Sequence, residues 1–458
     1  MIQFFLKKLI FLIPTVLVVI ITAFFLSKLI PGDHAESMLI LQGLQPEASN
    51  YNREFQKIYL KEGLDKPLFY FSVLPHFYHD NVHSILDNQD RYLIQKWQSE
   101  KYHSKNIMEV LHARQILISK IEKDTSKKFT HVLKNLQFEN DVKQLIRWCD
   151  TLQLYPTAFK DDVKNFKSAL SSMDATRVTW YFPKFVWHGA ENQFHHWAIS
   201  VLKGDLGQSV KDGRQVSQKI NKAIRWTLLL ALLSTSIALM ISIPTGLYSG
   251  YYSNTWIAKG THFFWLVLYS IPVFWLASLL ILYTTSDRYG SWLHIFPAPG
   301  IWYVPDDQSM WKTIIKNSQQ LVLPVICMVA NDIAQISTIV RNNTQEQKSK
   351  TYILMARAKG LTEASILVKH ILPNVLLPLI TIAGGRLASG LAGALIIEVI
   401  FNIPGMGRLM YDSILGSDWN VVFGILIVLS VVTILFLTIT EILYAWANPK
   451  INQKMQVS

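Results

Sequence analysis

Cysteine is nearly absent: Cys149 and Cys327 are the only two in 458 residues. That excludes a disulfide-stapled scaffold and any cysteine-built metal cluster. Gly-x-x-x-x-Gly-Lys-Ser/Thr does not occur either, so the chain brings no phosphate-cradling loop of its own. No nucleophile, acid–base pair or glycine-rich cofactor loop stands out, and no catalytic, cofactor-binding or metal site is expected. His76, His79 and His83 are spaced so that at least a pair shares one helical face, but they lie in a charged stretch and read as solvated surface, not ligands. Charge is scarce too, at 17% of residues, and unevenly spread. Residues 72–193 hold 17 Lys/Arg and 14 Asp/Glu, about a quarter of that stretch. A mean hydropathy of +0.22 therefore blends an apolar frame with an ordinary soluble-looking segment. The net charge of +12 falls mostly on the frame, since residues 72–193 contribute only +3. Basic charge on so apolar a frame points to a membrane surface, with no nucleic-acid partner expected.

Long apolar runs are what the chain has in excess. Six of about 20 residues could each cross a hydrocarbon core of about 30 Å as a helix. They are Leu9–Ile30, Trp226–Gly250, Phe263–Thr285, Leu321–Val340, Leu376–Phe401 and Val421–Ala445. The first is longer than a signal-peptide core and lacks a small-residue cleavage site, which predicts an uncleaved anchor. With the N-terminus inside, the inner segments hold Lys7, Lys8, Lys259, Arg341, Lys348, Lys350, Arg357, Lys359, Lys369, Lys450 and Lys454. The short outer loops hold only Arg288, Lys312, Lys316 and Arg408. Basic residues favour the cytoplasmic side, so both termini are expected there and residues 72–193 outside. Lys219, Lys222 and Arg225 run against this pattern and predict an amphipathic helix, Val216–Arg225, lying on the outer interface.

Three regions follow: 1–71 with the first span, an outer insertion at 72–193, and 194–458 with spans two to six. Within the insertion, apolar residues recur at helical spacing in Ile107/Val110/Leu111/Leu117/Ile118/Ile121, Phe129/Val132/Leu133/Leu136, Val142/Leu145/Ile146 and Val163/Phe166/Leu170. Four amphipathic helices burying one face against each other are expected. Aromatics crowd the exit in Trp180-Tyr181-Phe182 and Phe185-Val186-Trp187, as an interfacial belt or a docking face would require.

The loop between spans four and five, about 341–375, is the most informative segment. Its pattern predicts a short helix through Lys359, a stop at Gly360, a second helix from an N-cap at Thr362, and a break at Pro373. Ala356, Ala358 and Gly360 are small enough for another backbone to come close, with Arg357 and Lys359 beside them. A knob for a partner's socket and a basic loop folded on itself are both compatible with these residues.

Ala356-Arg357-Ala358-Lys359-Gly360 followed by Lys369-His370-Ile371-Leu372-Pro373-Asn374 resembles the EAA loop of ABC-importer permeases, in the dipeptide/oligopeptide/nickel branch. So do residues 6–33, Gly63-Leu-Asp-Lys-Pro-Leu68, Lys203-Gly-Asp-Leu-Gly-Gln-Ser209, Tyr269-Ser-Ile-Pro-Val-Phe-Trp275, His294-Ile-Phe-Pro-Ala298 and Pro404-Gly-Met-Gly-Arg-Leu409. The match covers about 1–70 and 195–452. It implies an all-α polytopic membrane protein with six transmembrane helices, a type I ABC-importer (MetI-like) permease core and an α-helical extracytoplasmic insertion. It also implies a non-catalytic subunit of the bacterial inner membrane. The expected partners are a second homologous permease in a heterodimer, two cytoplasmic ATPases that bind ATP and Mg, and an extracytoplasmic solute-binding protein. Met355, Ala356, Arg357, Ala358, Lys359, Gly360, Leu361 and Glu363 would form the ATPase-coupling knob. Departures are Leu354 at the EAA glutamate, Arg386 where Gln is usual, Asp418-Trp419-Asn420 for Asp-Tyr-Pro, and the insertion itself.

Ionisable groups inside spans are costly unless they face protein or water, which singles out Asp332, Arg386, Glu398 and Glu441. Arg386 could pair with Asp332 or meet cargo, and Glu441 reads as snorkelling. Pro272 is expected to kink span three. Together with Phe274, it joins Asp332, Arg386 and Glu398 as candidates for the translocation path or gate. A secondary transporter and a membrane-anchored scaffold are the competing classes.

Overall fold

The computed structural model describes residues 2–29, 34–41, 43–44, 51–78, 82–122, 139–153, 160–175, 182–300 and 310–447. The chain divides into two compact units: Met1–Ile30 with Gly204–Ser458, and Pro31–Lys203. The first opens with α1 (Ile2–Lys28).

In the Pro31–Lys203 unit, α2 (His34–Leu41) packs on α3 (Tyr51–Lys61). Tyr51, Phe55 and Tyr59 recur every four residues on α3 and stack ring on ring. Next, β1 (Phe71–Pro75) pairs antiparallel with β2 (Pro183–Trp187), from Phe71 opposite Trp187 to Pro75 opposite Pro183. The helices between them therefore leave and return through neighbouring strands. These are α4 (Asn88–Ser99), α5 (Ser104–Glu122), α6 (Val142–Gln153) and α7 (Lys160–Ala175). Asp87 starts α4 by accepting from the Gln89 and Asp90 amides. Ile107, Val110, Leu111, Leu117, Ile121, Val142, Leu145, Val163, Phe166 and Leu170 are buried in one core with Trp97 and Cys149. Burial pushes the Cys149 thiol up to about 12, with Asp150 adding to the effect and Lys167 opposing it, so the thiol stays protonated. The helix expected at Phe129/Val132/Leu133/Leu136 lies outside the described residues, as do His79, Trp180 and Tyr181. After β2, α8 (Gln193–Leu202) is capped by Asn192, and Gln193 Nε2 donates to the Lys66 carbonyl at 2.7 Å.

In the larger unit the described parts of the expected apolar runs fall almost wholly on helices, with an internal break at Ile271–Pro272. Four are long and apolar enough to cross a membrane among the described residues: α9 (Val216–Tyr251), α13 (Ser318–Lys348), the helical run Glu363–Leu387 and α18 (Trp419–Ala447). A bent pair, α10 (Trp256–Ser270) and α11 (Val273–Thr284), makes a fifth candidate, and α1 contributes a shorter apolar stretch, Ile13–Lys28. α12 (Met310–Lys316) precedes α13.

Two local expectations are corrected and one, the kink at Pro272, is sharpened. Val216–Arg225 is no separate interfacial helix but the first turns of the 36-residue α9. Lys219 sits 3.0 Å from Asp212 and 3.8 Å from Asp418, so its charge is met by carboxylates of its own chain. Pro272 does more than kink span three: α10 and α11 meet at 92°. Ile271, the residue before proline, is extended at φ −84°, ψ 118°, the backbone that proline imposes on its predecessor, and this ends α10. Pro373, by contrast, breaks nothing. A π-turn, Leu367–Ile371, widens the helix just before it, and the Leu372 amide reaches back to the Leu367 carbonyl. α16 (Leu372–Ile400) continues the helix, with Pro373 directly after the shift to an i−5 bond, which accommodates its missing N–H.

The α9–α13 seam is close because small residues line it. A Cβ on Gly246 would fall 2.6 Å from Val340 Cβ, and one on Gly250 2.6 Å from the Arg341 carbonyl. Ser242, one turn earlier, donates to the Ile333 carbonyl at 3.2 Å. Small residues every four positions are how membrane helices bring backbones together.

Candidate functional site

The loop after α13 folds into two short helices at a corner. α14 (Thr351–Ala358) is followed by Gly360 at φ +76°, and α15 (Glu363–Ile366) starts from Thr362, whose hydroxyl accepts from the Ser365 amide at 3.3 Å. The Gly360 amide donates to the Arg357 carbonyl at 2.9 Å and the Leu361 amide to the Ala356 carbonyl at 3.3 Å, the paired bonds of a left-handed C-terminal cap.

Side chains brace the corner. Arg357 grips Glu363 with Nε at 3.1 Å and Nη2 at 3.3 Å, and the same Nη2 donates to the Tyr251 hydroxyl at 3.0 Å. Lys348 reaches the Tyr251 carbonyl at 2.5 Å and lies 4.7 Å from its ring. Tyr251, the last residue of α9, is thus the anchor for two cations of the loop. Ile353, Ala356, Ile366 and Ile371 are buried beneath, while Leu354, Met355, Leu361 and Val368 are exposed apolar residues. Ala358, Lys359, Gly360 and Glu363 are exposed at the tip. The eight residues singled out in sequence therefore lie together at the corner, with Ala356 the one buried among them.

The charged residues in the spans do not gather at one point. Asp332 on α13 and Arg386 on α16 form an ion pair at 3.2 Å, the first of the two roles open to Arg386. Glu398, near the C-terminal end of α16, is fully buried, and its carboxylate accepts three hydrogen bonds from the chain. Oε1 accepts from the Thr227 hydroxyl at 2.6 Å; Oε2 accepts from the Gly407 amide at 2.7 Å and the Arg408 amide at 3.1 Å. Those amides open α17 (Met406–Leu415), so Glu398 caps a helix N-terminus. The Glu398 carbonyl accepts from the Ile403 amide at 2.8 Å, closing α16 around Asn402 at φ +56°. Pro272 and Phe274 lie at the α10–α11 corner, Phe274 exposed.

A second carboxylate knot was not visible in the sequence. Asp418, buried just before α18, accepts from the Ser209 hydroxyl and from the Val210 amide at 3.0 Å, binding the loop before α9 to the start of α18. The stretches Lys203–Ser209 and Asp418–Asn420 were each singled out in the sequence, but nothing there joined them. Asn420 takes part as well, donating to the Gln208 carbonyl at 2.8 Å.

Fold and site together define a polytopic helical membrane protein whose fourth and fifth apolar helices are joined by a braced helix–glycine–helix knob. The chain belongs to the binding-protein-dependent transport system inner membrane component family, whose model matches residues 242–453. Among its curated relatives is the oligopeptide transport system permease protein AppB of Bacillus subtilis, 34% identical over 261 residues, 57% of this chain and 80% of that one. Another is the probable D,D-dipeptide transport system permease protein DdpB of Escherichia coli, 30% identical over 271 residues, again 57% of this chain and 80% of that one. Among solved structures, the MetNI methionine ABC transporter in inward-facing conformations gives a fainter likeness: 17% identity and a TM-score of 0.40 over 50% of this chain and 97% of that one.

Proposed function

We propose that this chain is one transmembrane half of an ATP-driven importer for peptides, coupled to cytoplasmic ATPases through the knob around Gly360. The reading of cargo rests on relatives named for oligopeptide and D,D-dipeptide transport. In this reading two ATPases bind ATP and Mg, a second homologous permease completes the pathway, and an extracytoplasmic protein delivers cargo. The chain supplies no catalytic group. Both termini and the knob face the cytoplasm, as the count of basic residues favours, and the 72–193 insertion faces outward.

The observation that carries the proposal is the knob's construction. A flexible loop could bind an ATPase but would dissipate its motion. Here the corner is capped at Gly360 and Thr362, cross-braced by Arg357 and Glu363, and anchored to Tyr251. It runs without a break through α15 and the π-turn into α16. A push on the knob is therefore delivered to the helix that carries Arg386 as a rigid-body movement. Leu354, Met355 and Leu361 are exposed apolar anchors of the kind that dominate protein interfaces.

The test is reconstitution with the candidate ATPases. Met355→Asp and Leu361→Asp, each exposed, are expected to insert normally but lose ATPase association and ATP-dependent peptide uptake. Retention of both by both variants would refute the coupling role.

A further inference from the structure

The ribbon of β1 and β2 carries more exposed aromatic surface than a connector between helices requires. Residues directly opposite in an antiparallel pair share a face, and every second residue along a strand joins them. One face therefore consists of Phe71, Val73 and Pro75 with Trp187, Phe185 and Pro183. Phe71, Val73, Phe185 and Trp187 are 42%, 56%, 62% and 65% exposed. Phe71 and Phe185 stack with centroids 5.4 Å apart, so the face is an ordered apolar plate. The opposite face holds Ser72, Leu74, Lys184 and Val186, and there Ser72 hydrogen-bonds His188 at 2.8 Å.

We propose that this aromatic face seats on the outer leaflet of the bilayer, so that the stem of the insertion lies on the membrane surface. Two observations favour lipid over protein as the occupant. The side chains of these six residues offer no charge and a single polar atom, the Trp187 indole nitrogen, whereas protein interfaces carry about one hydrogen bond per 100–200 Å². Phe and Trp with one polar tip are instead the composition of the membrane–water boundary. The chain also runs into an apolar helix at one end of the unit and a helix long enough to span a membrane at the other: α1 ends at Lys28, and only residues 203–215 separate α8 from α9. The insertion is thus tethered at the bilayer by two short segments, which lowers the cost of adding a surface contact.

This inference rests on the outward orientation of the insertion. The experiment uses the full chain in lipid nanodiscs with Cys149→Ala and Cys327→Ala. Single cysteines at Val73→Cys or Phe185→Cys, and at Lys164→Cys on the exposed side of α7, carry an environment-sensitive NBD label. The expected result is blue-shifted emission at positions 73 and 185, with strong quenching by lipids doxyl-labelled near the headgroup, and water-like, unquenched emission at 164. Emission at 73 and 185 matching that at 164 would overturn the proposal. So would shielding that comes only with added solute-binding protein and without lipid quenching, which would make the face a protein dock. Sidedness is read separately, by labelling Lys164→Cys on intact cells with a membrane-impermeant maleimide. Labelling only after lysis would sink the orientation, while the quenching would still show whether the ribbon meets lipid.

Discussion

Thr227 and Glu398 stand 171 residues apart and share a 2.6 Å hydrogen bond inside the membrane frame. Thr227 also accepts from the Met406 amide at 2.8 Å, so hydroxyl and carboxylate together satisfy three amides that open α17. A glutamine could keep both amides on its one oxygen and turn its NH2 to the Thr227 hydroxyl, which can accept. Glu398→Leu removes both acceptor oxygens and leaves the Gly407 and Arg408 amides without that partner, at about 1–3 kcal/mol. The expected outcome is a lowered thermal midpoint in detergent and faster hydrogen exchange at residues 406–409. Unchanged exchange there would mean that α17 does not depend on Glu398.

Gly360 can be tested without steric confusion, because a Cβ built there meets nothing within 4 Å. Any cost therefore comes from the backbone at φ +76°. Gly360→Val should cost about 1–2 kcal/mol locally, whereas Gly360→Asn, whose side chain tolerates that conformation, should cost less. The valine variant is expected to insert in the membrane yet hydrolyse ATP without matching uptake. Normal coupling in the valine variant would remove the corner from the mechanism.

For Asp332 and Arg386, the double substitution discriminates. Arg386→Met strips a mostly buried carboxylate of its cation. The cost is about 2 kcal/mol, below the 3–5 kcal/mol of a fully buried pair because Arg386 keeps some exposure. Adding Asp332→Asn should recover part of the loss, the signature of a pair. If the double variant is less stable than Arg386→Met alone, the two residues act independently.

Acid should stabilise one end of the insertion. Burial raises the Asp90 pKa, the neighbouring Asp87 raises it further, and the hydrogen bond from Gln115 and the charge of Arg114, 3.6 Å away, only partly oppose this. The folded chain thus holds the proton more tightly than the unfolded one. Stability is fully present below the unfolded carboxylate value and falls as pH rises through the raised folded value. Protection of α4 amides, corrected for intrinsic exchange, should decline as pH rises above the ordinary carboxylate range, and Asp90→Asn should flatten that decline.

Local rules carried well where a residue's neighbours in sequence are also its neighbours in space. Gly360 ends α14 and Thr362 starts α15 because both roles are settled within four residues. The helical spacing of Val163, Phe166 and Leu170 predicts their burial for the same reason. Pro373 shows where such rules run short: proline forbids one backbone bond, but a π-turn just before it absorbs the loss. The ribbon was legible only as a crowd of aromatics, since five-residue strands whose partners lie more than a hundred residues away leave no periodic trace.

The sequence by itself determined the apolar helices, the charged insertion, the knob and its family, because hydropathy, helix period and turn chemistry are properties of short segments. Tertiary structure alone decided the partners. Arg386 faces Asp332, Glu398 caps α17, Lys219 meets Asp212 and Asp418, and Ser242, Gly246 and Gly250 meet α13. A buried charge announces by its cost that it needs a partner, but which one it finds depends on how helices distant in sequence pack against each other.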